Sequence, residues 1–118
     1  MDIETYRHQL LSRWNHKKAL VFIGRIKQQS LQITFKKFTG VHTLFRTHKK
    51  EAFTIRFSKA MTDGEVDLFA INQAQEIIQI IEGIQTLTPG RYRFRLLGQS
   101  ASGTIDIAYV MSKKVVTS

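Results

Sequence analysis

Residues 72–87 read NQAQEIIQIIEGIQTL. How this stretch folds decides the class of the chain. Asn72 is a good helix N-cap, and Gln75 stands three residues on, as in a capping box. Ile77, Ile80, Ile81, Ile84 and Leu87 recur at helical spacing, and Ile78 widens the stripe. Thr88-Pro89-Gly90 stops the segment and holds the only proline. The pattern predicts a helix over 72–87, covered on more than one side.

The flanks read differently. RYRFRLLG, residues 91–98, alternates: Arg91, Arg93 and Arg95 share one strand face, with Tyr92, Phe94 and Leu96 on the other. TIDIAYVMS is the last strand, and GQSASG between the two reads as a flexible turn. The tail KKVVTS is expected to fray. Upstream, AFTIRFS alternates, with Phe53, Ile55 and Phe57 inward and Thr54, Arg56 and Ser58 outward. EVDLFAI is a strand too, and Asp63-Gly64 before it suits a tight hairpin. SLQITFKKF points Leu31, Ile33 and Phe35 one way, and Gln32, Thr34 and Lys36 the other. Gly40 marks a turn before VHTLFRT, and HKKE is a polar loop. ALVFIGRIK is apolar on both faces at its start, as in a central strand. Residues 2–17 have Ile3, Tyr6, Leu10, Leu11 and Trp14 at helical spacing, with Asp2 as the cap and Lys17 and Lys18 at the C-terminal end.

The expected fold is therefore α+β. One domain, 1–118, carries a mainly antiparallel curved sheet of about six to seven strands, with an N-terminal helix and a second helix before the last two strands. At 118 residues the chain suits a single modest core.

Charge is the strongest functional signal. The net charge is +9, beyond the range of about 2 to 8 usual for a small designed domain. Residues 1–60 hold 13 Lys and Arg against 3 Asp and Glu, giving +10, and residues 61–118 hold 5 against 6, giving −1. A basic half beside a near-neutral half is an expected footprint of a polyanion binder. The cations expected to contact phosphates are Arg25, Lys27, Lys36, Lys37, Arg46, Lys49, Lys50, Arg56 and Lys59, because Glu51 is the only nearby carboxylate. Arg91, Arg93 and Arg95 face either a ligand or the protein's own Glu65, Asp67 and Asp106. Most phenylalanines fall at inward positions. Phe38 and Phe45 break the alternation and are the two expected to be exposed.

No catalytic motif is present. The chain has no cysteine, so it has no disulfide and no thiolate nucleophile. It also lacks a nucleophile elbow and a phosphate-cradling glycine loop. His8 and His16 are too far apart for one metal. His42 and His48, with a lysine, could serve a small ribonuclease by general acid–base chemistry. No apolar run nears the roughly 18 residues that span a bilayer, and the N-terminus has no signal core.

The stretch Gly64–Ile105, GEVDLF…NQAQEIIQIIEGI…GRYRFRLLGQSASGTI, resembles the C-terminal part of the small protein subunits of ribonuclease P. There, strand, helix and strand end in a Leu-Gly…Ser-Gly-Thr pattern. The resemblance covers about a third of the chain. The glycine–serine turn departs from it by extra residues, and the first 60 residues show no match, so no site is carried across.

These features imply a cytoplasmic, non-enzymatic nucleic-acid-binding accessory protein with no cofactor, no membrane contact and little base specificity. One alternative is a protein-interaction or self-associating module, with an acidic protein partner or a homo-oligomer. There the basic half would meet the acidic stretch 61–82, which carries −5. The other is a small ribonuclease.

Overall fold

The computed structural model describes residues 30–110, the backbone of His16–Lys18 and Val21–Lys27, and Arg7, Leu10 and Leu11. Seven strands run in chain order: β1 His16–Lys18, β2 Val21–Lys27, β3 Ser30–Lys49, β4 Phe53–Asn72, β5 Ile77–Ile80, β6 Gly83–Leu87 and β7 Gly90–Val110. Every pairing is antiparallel.

The α+β expectation is overturned. Every element from His16 to Val110 among the described residues is a strand, and the sheet is all-β. In place of a helix over 72–87, which the ribonuclease P resemblance also implies, the chain forms β5 over Ile77–Ile80 and β6 over Gly83–Leu87. The capping pattern is in fact a tight connection. The Asn72 backbone N–H donates to the Glu76 carbonyl at 3.1 Å, and the Asn72 carbonyl accepts from Gln75 N–H at 3.0 Å. The Asn72 side chain accepts from Glu76 N–H at 2.9 Å and donates to Glu76 Oε1 at 2.7 Å. Gln75 sits at φ 65°, outside any right-handed helix. Asparagine offers the backbone this local alternative to a helix. Five isoleucines then favour a pleated surface, because β-branched side chains lose rotamers on a helix. Within β5 the burial alternates: Ile78 and Ile80 join the main core, whereas Ile77 packs on the opposite face. Ile81 and Ile84 stay 59% and 63% exposed, which a buried helical stripe would not allow.

The expected first helix lies mostly outside the described residues. Arg7, Leu10 and Leu11 have helical backbone, but His16–Lys18, read as its C-terminal end, is strand β1. The tail 113–118 also lies outside them.

Two other expectations are corrected together. Gly40, Asp63-Gly64 and GQSASG do not separate short strands. They lie within β3, β4 and β7, which run 20, 20 and 21 residues. The register slips between Phe35 and Gly40 in β3 and between Met61 and Glu65 in β4, both opposite residues 98–103 of β7. Three irregularities side by side make one crease across the sheet, since each bulge bends its strand. Hydroxyls tie the crease: Lys37 N–H donates to Ser102 Oγ at 3.1 Å, Ser100 N–H to Thr39 Oγ1 at 3.0 Å, and Thr62 Oγ1 to the Ser102 carbonyl at 3.1 Å.

The crease divides the sheet into two leaves. The first holds β2, 30–36 of β3, 103–110 of β7, 53–61 of β4, and β6. The second holds β1, 38–49 of β3, 90–101 of β7, 63–72 of β4, and β5. The leaves close on a shared core that draws Ile33, Phe35, Ile55, Phe57, Ile105 and Ile107 from the first, and Phe38, Leu68, Phe94 and Leu96 from the second. Aromatic pairs join them away from the crease: Phe53 meets Tyr92 with centroids 5.6 Å apart, and Phe45 meets Tyr109 at 6.1 Å.

Phe38 and Phe45 are therefore not exposed. Phe38 is fully buried. Phe45 is half-buried and stacks on Phe94 at 4.5 Å. Both broke the alternation because bulges precede them, and a bulge flips every later side chain to the other face.

A candidate anion-binding cleft

On the outer face of the second leaf, Leu10 packs with Val41, Phe69, Ile71 and Leu97 in a second, smaller core. Arg91, Arg93 and Arg95 share that face, as alternation requires. Arg95 stands opposite Thr43 and Phe69, and is fully buried. Its Nη1 donates to the Leu10 carbonyl at 3.4 Å, and Arg93 Nη2 donates to the Leu11 carbonyl at 3.3 Å. Burial, then Arg93 and Arg46, hold the Arg95 guanidinium below its ordinary value, at about 10. It stays cationic at neutral pH.

The slip between Thr43 and Phe45 sets what lies beside these arginines. After it, Arg46 pairs directly with Arg93, and His48 with Arg91. The same slip separates the two histidines weighed for ribonuclease chemistry. His42 pairs with Leu96 of the inner core, whereas His48 pairs with outward-facing Arg91. Opposite residues share a face, so His42 and His48 point to opposite sides of the leaf. His8 lies outside the described residues, and of His16 only the backbone is described.

A cleft of about 560 Å³ opens here. Arg46, Arg91 and Arg93 supply its cationic wall, with His48 beside them. Asn72, Gln73 and Gln75 of the β4–β5 connection supply amides, and Ile71 an apolar patch. Among the described residues, none that lines the cleft is acidic. Gln75 Oε1 accepts from Arg93 Nη2 at 3.4 Å, so the connection and the arginine strand brace each other. Among the described residues no group of three or more His, Asp or Glu could hold a metal.

Of the nine cations expected to bind phosphate, the seven with described side chains do not gather on one patch. Of Arg25 and Lys27 only the backbone, in β2, is described. Lys36 and Lys37 are exposed at the crease, with Lys37 at φ 54°. Arg46 is in the cleft. Lys49 lies over the Tyr109 ring, 4.5 Å from its centroid, and Lys50 is exposed in the β3–β4 turn. Arg56 is exposed on the outer face of the first leaf, opposite Ala108 and Ile84. Lys59 is half-buried: its Nζ donates to the Val66 carbonyl at 3.0 Å and stands 3.9 Å from Asp67 Oδ1. Sequence reasoning left Arg91 and Arg93 undecided; strand alternation put them on one face, but only the register shows Arg46 beside them.

Lys59 thus ties the two arms of the β4 bend. Lys59→Met should lower stability by roughly 1 kcal/mol in chemical denaturation and leave nucleic-acid affinity unchanged. Asp67 gives a pH test of the same contact. Burial pushes its carboxyl above the ordinary 3.8, and Lys59 opposes that rise. The unfolded chain therefore releases the proton first, and stability from this group is lost as pH rises through 3.8. Between about pH 3 and about pH 6, the melting temperature of Asp67→Asn should gain on that of the unsubstituted protein. A constant difference would refute the shift.

No family model matches the chain, and no curated protein does. A cupin domain from Bordetella pertussis Tohama I is similar over 77% of this chain and 93% of its own, at 9% identity and a TM-score of 0.37. A protein from Neisseria meningitidis is similar over 93% of this chain and 100% of its own, at 9% identity and a TM-score of 0.34. The fold described above rests on the strand pairing itself.

Proposed function

We propose that the protein is a non-enzymatic, cytoplasmic accessory protein that binds nucleic acid through its phosphates, with little base specificity. The observation that supports this is a cleft walled by three arginines and a histidine, with no acidic side chain among the described residues that line it, on a chain of net charge +9. Guanidinium groups present N–H forks that match phosphate oxygens two at a time. Arg46 comes from the basic half, and Arg91 and Arg93 from the near-neutral half, so the fold concentrates charge that the sequence spreads. Lys50 in the adjoining turn extends the cationic surface. The acidic stretch that would favour self-association is partly engaged locally: Glu76 closes the β4–β5 connection, and Glu82 accepts from Lys59 N–H at 3.4 Å.

The test is fluorescence anisotropy of labelled single- and double-stranded DNA and RNA. Each phosphate contact contributes about 0.9 to the logarithmic salt slope on duplex DNA, so four contacts predict about a hundredfold weaker binding between roughly 50 and 200 mM salt. Arg46→Ala/Arg91→Ala should flatten that slope. Absence of binding at the lower salt would refute the reading.

A further inference from the structure

We infer that the cleft takes a terminal phosphate monoester, the dianionic group found on a nucleotide or at the 5′ end of a nucleic acid. This deepens the phosphate-binding reading and rests on it for the choice of phosphate among anions.

Residues directly opposite on antiparallel strands hold their Cβ atoms about 5 Å apart, and like charges in that position repel. Here Arg46 faces Arg93, and Arg91 shares their face two residues along β7. An anion set between Arg46 and Arg93 meets both guanidinium groups at once. Arg95, two residues along β7 on the same face and fully buried, adds a further positive charge to the same field. A phosphodiester carries one charge and two free oxygens. A monoester carries about two charges at neutral pH and three acceptor oxygens. Arginines converging from two neighbouring strands match the monoester in both respects.

Size and neighbours agree with this assignment. A volume of about 560 Å³ lies within the range of roughly 300 to 1,000 Å³ typical of small-molecule sites. It exceeds what a bare phosphate needs and leaves room for an attached sugar and base. The β4–β5 connection borders the cationic wall, and there Asn72, Gln73 and Gln75 offer both donors and acceptors to polar groups of such a ligand.

The experiment is calorimetric titration of the full chain with AMP, inorganic phosphate and adenosine. A parallel anisotropy assay uses one oligonucleotide carrying either a 5′-phosphate or a 5′-hydroxyl. AMP should bind and adenosine should not. The 5′-phosphorylated strand should bind at least about tenfold more tightly than the hydroxyl form, as loss of a charge-assisted contact predicts. Inorganic phosphate binding as tightly as AMP would assign the site to the phosphate alone and still support the monoester. Arg46→Ala and Arg91→Ala, both at exposed positions, should each weaken AMP about tenfold or more without moving the thermal transition. Lys36→Ala/Lys37→Ala at the crease should leave AMP unchanged. Equal binding of both strands, with no AMP binding, overturns the monoester site while the nucleic-acid reading stands. AMP binding without any oligonucleotide binding supports the site and refutes the nucleic-acid reading. AMP binding that survives both arginine substitutions overturns the assignment to this cleft.

Discussion

Phe94→Ala should lower the melting temperature by on the order of 15 °C. Phe94 is fully buried in β7, near the middle of the second leaf. It stacks on Phe45 with the rings 17° from parallel, and its centroid lies 6.2 Å from that of Tyr92. Those two rings in turn reach across to Tyr109 and Phe53 of the first leaf. Truncating a buried phenylalanine costs about 3 to 5 kcal/mol, and the lost aromatic pair adds about 0.5 to 1.5 kcal/mol. Against a total stability of about 5 to 15 kcal/mol, that is a large share. Phe94→Leu retains most of the apolar volume and should lose much less. A Phe94→Ala transition within about 2 °C of the unsubstituted protein would mean that the leaves do not close through this ring.

The same ring shows what the sequence makes legible. Alternation places Phe94 inward and its arginine neighbours outward, and so does the structure. It also assigns Ile33, Phe35, Ile55 and Phe57 to the core, where all four are buried. Alternation is a local property of a strand, so a few residues suffice to read it. The crease is not local. Gly40, Asp63-Gly64 and GQSASG each resemble strand ends, because bulges and turns use the same residues. Only their alignment across three strands shows that the chain runs through them. A hint is nevertheless present: Phe38 and Phe45 break the alternation yet stay apolar, which is how a bulge looks in sequence. The cleft was hidden for the same reason. Without the slip between Thr43 and Phe45, Phe45 would stand opposite Arg93 and Arg46 would face inward. At 72–87 the helical spacing of the isoleucines competes with their β-branched preference for a strand. The free edge of β4 decides between them, since only a strand can hydrogen-bond to it.

The crease itself carries the other large prediction: Gly64→Ala should destabilise the protein by about 3 kcal/mol or more. Gly64 sits at φ 69°, in the left-handed region where a side chain costs roughly 1 to 2 kcal/mol. Strain is the smaller part. A Cβ there would lie 2.1 Å from the Ser100 carbonyl oxygen and 2.5 Å from that of Gln99. Both are backbone atoms of β7, and Ser100 is held by its bond to Thr39, so neither can retreat without opening the crease. Gly83→Ala separates the two contributions. Gly83 has φ 104°, but nothing lies within 4 Å of its Cβ position, so it should lose only the strain, about 1 to 2 kcal/mol. Chemical denaturation of the two variants gives the comparison directly. If Gly64→Ala loses no more than Gly83→Ala, β4 does not pass beneath Ser100. The two leaves would then need another hinge. If it loses far more, the close approach of β4 and β7 holds the bend that brings Phe45 over Tyr109 and closes the core.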